Sequence, residues 1–142
     1  MVSIAPLQRY DINEVVDLWR SAGLAHPWND SRRDIELALS HPTNRMFAAH
    51  DQVGKLVGTI MAGFDGHRGW IYSLAVDDSQ RGKGTGKALV ESAENWLAQQ
   101  GAPVVRLLVE GSNEKVAGFY EACGYERGDF IAFGKQMTAP VA

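Results

Sequence analysis

The chain has 142 residues and the composition of an ordinary globular protein. Hydrophobic residues make up 45% and charged residues 22%, which excludes a disordered or fibrous chain. Fourteen Lys and Arg against seventeen Asp and Glu give a net charge of −3, whereas a general nucleic-acid-binding protein needs a basic face. We therefore expect a single domain spanning residues 1–142 that has no nucleic acid as a partner.

Cysteine usage and hydropathy exclude further classes. Cys123 is the one cysteine, so an internal disulfide is excluded, and no Cys/His cluster has the spacing of zinc ligands. The longest apolar run, residues 56–64, is interrupted by two glycines and is too short to span a membrane. The first residues lack the basic and apolar regions of a signal peptide. These features predict a cytoplasmic protein with no metal site and no membrane partner.

The first half of the chain predicts two helices and a run of strands. Asp11 and Glu14 have the spacing of a capping box at the start of the first helix, and Gly23 is suited to end it. Asp30 or Ser31 can cap the second helix. The β-rich segments are residues 2–7, 46–50, 56–64 and 70–76. Turn signals separate the last three of these, which we expect to be antiparallel neighbours.

The second half predicts alternating helices and strands. Residues 84–101 contain a helix with one apolar stripe, residues 103–109 a strand, and Ser112 caps a helix that Gly124 ends. Residues 125–137 are expected to supply one or two final strands. The fold class is therefore α/β with a mixed sheet, in the order β-α-α-β-β-β-α-β-α-β(-β).

A glycine-rich turn at residues 79–87 joins a predicted strand to a predicted helix. Alternate glycines let the backbone approach a ligand closely and adopt positive φ. The first-turn amides of the helix lack intrahelical acceptors, and nearby cations add positive charge. These glycines and cations are Gly82, Gly84, Gly86, Arg81, Lys83 and Lys87. Together they predict an anion site, most simply for a phosphate or pyrophosphate.

Two nucleotide-binding motifs fit this turn poorly. A Walker A loop needs a hydroxyl residue after the lysine, but Ala88 follows Lys87. In a dinucleotide fingerprint the third glycine would come one position later than Gly86. A plain glycine-rich connection without a ligand remains the structural alternative.

Two segments together resemble a known family. Residues 74–76 (LAV) followed by 81–89 (RGKGTGKAL) resemble the acetyl-CoA-binding motif R/Q-x-x-G-x-G/A of the GNAT superfamily of N-acetyltransferases. Residues 113–125 (NEKVAGFYEACGY) resemble its second motif, N-x-x-A-x-x-F-Y-x-x-x-G-F. Their order and separation also match, so the resemblance covers nearly the whole chain.

The resemblance implies acetyl-CoA as cosubstrate, bound where the strand ending at Val76 splays from the strand ending near Glu110. The pantetheine arm would bond to backbone groups of Leu74 and Val76, and the pyrophosphate would rest on the amides of residues 82–87. The implied cofactor-binding residues are Leu74, Ala75, Val76, Arg81, Gly82, Lys83, Gly84, Thr85, Gly86, Lys87, Asn113 and Tyr120.

Within the second motif, the resemblance implies that Tyr120 donates a proton to the departing thiolate and that Asn113 positions the cofactor. The residues themselves leave alternatives open. Helical spacing also places Tyr120 on an apolar face with Val116 and Cys123, as a core aromatic would lie. Asn113 is equally suited to be a helix-terminal residue beside Ser112.

The chain departs from the family at the general base. The positions of the family glutamates align with Trp70 and Leu108, which cannot accept a proton. Substitutes in the sequence are Asp65, His67, Glu110, or a water held by Tyr72 or Ser73. His67 is a candidate because histidine commonly acts as a general base near neutral pH, while Asp65 is a common turn former. The sequence assigns no base.

The acceptor site is expected between the loop joining the first two helices and the turn at residues 65–70. The candidate substrate-binding residues are Trp28, Asn29, Asp65, His67 and Tyr72. The predicted function is N-acetylation of a primary amine, on a small molecule or a peptide, by direct attack in a ternary complex. The alternative is a non-catalytic acyl-CoA-binding sensor or interaction module. A homodimer is a common outcome for a domain of this size, and the sequence leaves the oligomeric state open.

Overall fold

The computed structural model describes residues 1–25 and 30–138. Its elements are β1 (Ser3–Pro6), α1 (Ile12–Ser21), α2 (Ser31–Ser40), β2 (Asn44–His50), β3 (Leu56–Phe64), β4 (Gly69–Val76), α3 (Thr85–Gln100), β5 (Val105–Arg106) and α4 (Glu114–Ala122). Short 3-10 turns precede α1 and α3. In the part of the chain so described, no helix has the length and hydropathy to cross a membrane.

The five strands form one mixed sheet in the order β1-β2-β3-β4-β5. β2, β3 and β4 are antiparallel neighbours, which confirms the prediction for these strands. β5 joins the edge of β4 in parallel, and the pairing covers only Gly69 with Val105 and Trp70 with Arg106. The mixed α/β class is confirmed. The fifth strand is shorter than the predicted strand at residues 103–109.

Helices cover both faces of the sheet. α1 and α2 bury one apolar face each against the first side of the sheet. α3 covers the other side through the predicted stripe, whose members Leu89, Val90, Ala93, Trp96 and Leu97 are all buried. Burial of these two apolar layers is the main favourable term in the stability of the fold.

Two predicted helix caps are wrong. Asp11 already has helical dihedrals, because a 3-10 turn leads into α1, so its carboxylate cannot cap the helix. It accepts the Gln8 N–H at 2.9 Å and lies 3.0 Å from His50 Nε2. Glu14 accepts the Leu56 N–H instead of completing a box. At α4 the cap is Asn113 rather than Ser112, whereas Asp30 caps α2 as predicted.

The predicted strands after α4 are wrong. The structure describes residues 123–138 without a strand, and residues 126–138 are exposed throughout. A further strand would need an edge strand long enough to form a ladder of hydrogen bonds with it. β5 is the edge strand here, and it has two residues, both paired with β4. In the described residues the observed order is therefore β-α-α-β-β-β-α-β-α, which ends with β5 and α4.

Candidate active site

A bulge in β4 shapes the centre of the site. Thr59 pairs with Ala75 but Met61 pairs with Tyr72, so β4 carries one residue more than β3 over this stretch. Ser73 sits in the bulge with φ +53°, a conformation that non-glycine residues rarely adopt. Its carbonyl accepts the Thr59 hydroxyl at 3.4 Å. Such a bulge bends its strand, and β5 pairs with β4 only before this point.

Beyond the bulge, β4 has a free edge. The Asp77 N–H donates to the Val57 carbonyl at 2.8 Å. Because hydrogen-bonded and non-bonded pairs alternate in an antiparallel ladder, the N–H and C=O of Val76 then face away from β3. On that side, residues 107–110 form no strand. We call this opening between β4 and residues 107–110 the β4–β5 gap.

The glycine-rich turn leads from the end of β4 into α3. Gly82 and Gly84 have φ of +74° and +80°, and Gly84 is the residue before the first turn of α3. Within the described residues, five amides of this turn donate to no protein acceptor: those of Gly82, Gly84, Thr85, Gly86 and Lys87. A row of unpaired N–H groups at a helix N-terminus is suited to bind an anion.

The cations of the turn differ in whether they form ion pairs. Arg81 Nε lies 2.8 Å from Asp78 Oδ1, and both groups are exposed. Exposed pairs of this kind are weak, so a bound anion can compete for the guanidinium. Lys83 and Lys87 form no ion pair with any residue that the structure describes. The turn therefore keeps positive charge beside its unpaired amides.

Gly86 has a packing role that the sequence did not reveal. It lies inside α3 with ordinary helical φ, so the expectation of positive φ is wrong for this glycine. A Cβ built on it would lie 3.2 Å from Phe119 Cζ and 3.7 Å from Val76 Cγ2. The missing side chain therefore lets α4 approach both α3 and the end of β4. The contact between Gly86 of the first motif and Phe119 of the second brings the two sequence motifs together.

Tyr120 belongs to the apolar cluster that borders the β4–β5 gap. It is 8% exposed, and residues from both sides of the gap pack against its apolar cluster: Leu74, Val76, Leu107 and Val109. Its hydroxyl has no hydrogen-bond partner among the described residues. Burial raises the pKa of Tyr120 to about 12, with a smaller contribution from Cys123. The phenol is therefore protonated at neutral pH.

Tyr125 differs from its neighbour Tyr120. Their ring centroids are 5.8 Å apart in an edge-to-face arrangement. The Tyr125 hydroxyl donates to Glu94 Oε2 at 2.7 Å, and burial followed by this carboxylate raises its pKa. The Tyr125 hydroxyl thus has a hydrogen-bond partner in the fold, whereas the described residues supply none for Tyr120.

Asn113 occupies the helix terminus that one interpretation of the sequence predicted. Its Oδ1 accepts the Val116 N–H at 3.2 Å, and the side chain is exposed. This bond accounts for the residue structurally. A role in positioning a cofactor stays a prediction.

A recess of about 190 Å³ lies beside the first half of β4. Its lining residues are Thr43, Asn44, Gly63, Phe64, Asp65, Trp70 and Tyr72. Asn44 was not expected here; its Oδ1 lies 2.8 Å from the position of a Cβ on Gly63. A glycine inside a buried strand was the available sequence signal for such a close approach. We call this opening the β3–β4 recess.

The ionisable groups of the recess are Asp65 and Tyr72. Asp65 Oδ1 accepts the N–H groups of Arg68 at 2.6 Å and His67 at 2.8 Å, and Oδ2 accepts the Trp70 indole at 3.3 Å. These hydrogen bonds lower the pKa of Asp65 below its ordinary value, and the two from backbone N–H groups contribute most. Burial, and then Asp65, raise the pKa of the half-exposed Tyr72. The geometry favours a turn-forming role for Asp65 over that of a base.

Two of the remaining candidates, His67 and Glu110, are described and do not line the recess. His67 is exposed in the turn, its Nδ1 3.2 Å from an Arg68 nitrogen, and it does not line the recess. Leu108 is 73% exposed and Glu110 is exposed beyond β5. Trp28 and Asn29 lie outside the described residues. No group of three or more His, Cys, Asp or Glu side chains suited to a metal occurs in the described residues.

Comparison with known proteins identifies the family. The model of the acetyltransferase (GNAT) family matches residues 12–125. This chain belongs to that family. The fold agrees with solved structures of GNAT acetyltransferases. A complex of AAC(6')-Iy with the bisubstrate analogue CoA-S-monomethyl-acetylneamine has a TM-score of 0.82 and 18% identity, over 97% of this chain and 99% of that one.

Two further structures show the same fold. A complex of the aminoglycoside N-acetyltransferase AAC(6')-Iy with CoA has a TM-score of 0.83 and 18% identity, over 97% of this chain and 96% of that one. Glucosamine-6-phosphate N-acetyltransferase from Arabidopsis thaliana has a TM-score of 0.75 and 22% identity, over 97% of this chain and 99% of that one. At these identities the likeness establishes the GNAT fold, and the chemistry of this member must come from its own site.

Proposed function

We propose that this GNAT-family member transfers an acetyl group from acetyl-CoA to a primary amine of a small molecule or peptide, by direct attack in a ternary complex. The observation that carries the proposal is the row of unpaired main-chain amides at residues 82–87, next to the free edge of β4. One protein of the same fold, AAC(6')-Iy, has been solved with CoA and with a bisubstrate analogue that contains CoA. A cytoplasmic site of action remains part of the proposal.

The residues of the chain fit the parts of acetyl-CoA. The amides of the glycine-rich turn would hold the pyrophosphate, and Lys83 and Lys87 would offset its charge. The outward-facing backbone of Val76, with that of Leu74 beside the bulge, would accept the pantetheine arm in place of a β5 partner. When bound, acetyl-CoA supplies an activated thioester. A backbone amide near Val76 can donate to the carbonyl oxygen as charge develops on it.

Tyr120 is proposed as the donor to the departing sulfur. Its pKa of about 12 is roughly 3.5 units above that of a model thiol near 8.5. Complete proton transfer would thus cost about 5 kcal/mol at about 1.36 kcal/mol per unit. A hydrogen bond that strengthens as charge develops needs no such transfer. A protonated phenol without a partner in the described part of the fold is suited to donate one.

The recess constrains the acceptor amine. A lysine-like amine of pKa about 10.4 must lose a proton before attack, at a cost of about 4–5 kcal/mol at pH 7. Among the described lining residues, Asp65 is the one carboxylate, and its lowered pKa makes it a weak base. We therefore favour acceptors whose amine has a pKa near 8, as α-amino groups have. Such a pKa is about 1 unit above neutral pH, so deprotonating the amine costs little free energy. A water beside Tyr72 would then suffice to remove the proton.

Calorimetry with CoA tests the cofactor site. Gly84→Glu adds bulk and negative charge at the turn, where no atom of the described residues lies within 4 Å of a built Cβ. Gly54→Glu is the matched control, since Gly54 has φ +86°, a similarly open position and a place in the β2–β3 turn. We expect at least tenfold weaker CoA binding for Gly84→Glu and unchanged binding for Gly54→Glu. Unchanged affinity in both variants would contradict the anion site.

The second candidate is a non-catalytic acyl-CoA sensor. The observation that favours it is the pair Trp70 and Leu108, which stand where the family glutamates are expected and cannot accept a proton. Thiol release from acetyl-CoA, measured over amines graded in pKa from about 8 to 10.4, separates the two candidates. Release that increases as the amine pKa falls supports the enzyme. Tight acetyl-CoA binding without release for any amine supports the sensor.

A further inference from the structure

The hydroxyl of Thr59 connects α1 to the bulge in β4. Thr59 lies in β3 and is fully buried. Its Oγ1 accepts the Trp19 indole N–H at 2.9 Å and donates to the Ser73 carbonyl at 3.4 Å. Trp19 belongs to α1 and is also buried. These three groups form a hydrogen-bonded connection from the helix through β3 to the bulge, which we call the Thr59 bridge.

The bulge at Ser73 needs an interaction that stabilises it. Ser73 has φ +53°, a left-handed conformation that is unfavourable for a residue with a Cβ. One common class of bulge carries a glycine in this conformation, and the extra residue of a bulge is left without its regular ladder partner. The Thr59 hydroxyl supplies a donor for the Ser73 carbonyl. The Thr59 bridge therefore offsets part of the free energy that the bulge costs.

The bulge decides which way the backbone after it faces. The bond from the Asp77 N–H to the Val57 carbonyl makes Val57 face β4, so Met61, four residues later in β3, also faces β4. Tyr72, the partner of Met61, then faces β3. In a regular strand that continues from Tyr72, Val76 would face β3 as well. The extra residue reverses this direction, so the N–H and C=O of Val76 face the β4–β5 gap.

The side chains of β4 change faces at the same point. Ile71 packs in the apolar cluster beneath α3, and in a regular strand Leu74, three residues later, would lie on the opposite face. Instead Leu74 and Val76 both pack against this cluster, which contains Tyr120. Ala75 lies in the cluster on the other side of the sheet, with α1 and α2. The bulge thus brings the end of β4 against the cluster of the proposed proton donor.

We propose that Thr59 is a positioning residue for acetyl-CoA, which acts by holding the bulge at Ser73 through its hydroxyl. The inference rests on the proposed function, in which the outward-facing backbone of Leu74 and Val76 accepts the pantetheine arm. Without the hydroxyl, β4 relaxes toward a regular ladder, and a shift of one residue turns this backbone toward β3.

The glycine-rich turn has its own local support. The Asp77 carbonyl accepts the Gln80 N–H at 2.9 Å, and the Asp77 carboxylate accepts the Ser79 N–H at 3.1 Å. Neither bond involves the Thr59 bridge. The loss of the bridge should therefore weaken binding of the pantetheine arm and spare binding of the diphosphate.

Thr59→Val and Thr59→Ser form the decisive pair of variants. Valine has nearly the shape of threonine without the hydroxyl, whereas serine keeps the hydroxyl and lacks the methyl group. Calorimetry with CoA and with ADP, which carries the diphosphate without the pantetheine arm, measures the two parts of the cofactor site. For Thr59→Val we expect at least tenfold weaker CoA binding and ADP binding within threefold of the parent. Thr59→Ser should bind both within threefold of the parent.

The outcomes distinguish positioning from a purely structural role. If Thr59 only stabilises the fold, Thr59→Val lowers the free energy of unfolding in urea, and the folded variant binds CoA as the parent does; that result would overturn the proposal. Equal weakening of CoA and ADP binding would also overturn it, because the effect would not be confined to β4. A parent protein that binds no CoA contradicts the proposed function itself, and this inference with it.

A second change keeps the test decisive if Thr59→Val folds poorly. Glycine adopts positive φ without the cost that a Cβ imposes, so Ser73→Gly should stabilise the bulge independently of Thr59. We expect the double variant Thr59→Val/Ser73→Gly to fold, by circular dichroism, and to bind CoA within threefold of the parent. A double variant that stays unfolded, or that folds and binds CoA at least tenfold more weakly than the parent, would show that the hydroxyl does not act through the bulge.

Discussion

The contrast between Tyr120 and Tyr125 allows function and stability to be separated with two single-atom changes. Each substitution by phenylalanine removes one hydroxyl from the same edge-to-face cluster. The Tyr120 hydroxyl has no hydrogen-bond partner in the described part of the fold, whereas that of Tyr125 donates to Glu94 at 2.7 Å. The two variants should therefore fail in different assays.

For Tyr120→Phe we expect a lower rate with intact stability. A hydrogen bond to a charged group contributes about 1.5–3 kcal/mol, so losing it in the transition state should lower kcat by roughly 10- to 150-fold. The free energy of unfolding should change by less than about 0.5 kcal/mol, since the hydroxyl makes no hydrogen bond to the described residues. Binding of acetyl-CoA, measured by calorimetry, should change little.

For Tyr125→Phe the expectation is reversed. The loss of the bond to Glu94 should lower the free energy of unfolding by about 1–2 kcal/mol in urea denaturation, with kcat within twofold of the parent. Thiol release from acetyl-CoA at saturating amine measures kcat for both variants. If Tyr120→Phe keeps its rate within twofold, or if Tyr125→Phe loses rate as strongly, the assignment of Tyr120 as donor is wrong.

Two further perturbations follow from the packing and the charges. Gly86→Val should lower the free energy of unfolding by about 1–3 kcal/mol because a Cβ there already meets Phe119 at 3.2 Å; Gly118→Ala, a helical position with open space around it, should be neutral or stabilising in the same urea titration. The carboxylate of Asp65 has a pKa below 3.8 in the fold, so its contribution to stability is complete above that value and is lost as the pH falls through the lowered pKa. Asp65→Asn should therefore leave any acid limb of kcat/KM above about pH 5 in place; a limb that disappears would make Asp65 the base after all.

The sequence by itself determined the helices, the central strands and the chemical character of the site. The apolar stripe of α3 is a local pattern that specifies its own buried face, and the turn signals at residues 51–54 and 65–66 specify the hairpins that the structure contains. The two motifs likewise specified the family, because glycines and an N-cap asparagine act through the backbone nearest to them. Such features depend on residues close in the chain, so one sequence suffices to predict them.

Tertiary structure alone decided the features that depend on what lies opposite a residue. The outward direction of the Val76 backbone follows from the register with β3 and from the bulge at Ser73. Gly86 is explained by Phe119, a residue of another helix, and not by its own turn. The sequence predicts strands in residues 125–137, but a strand exists only where an edge accepts its hydrogen bonds. Hydrogen-bond partners and close approach are properties of pairs distant in sequence, and the pattern of either member alone does not contain them.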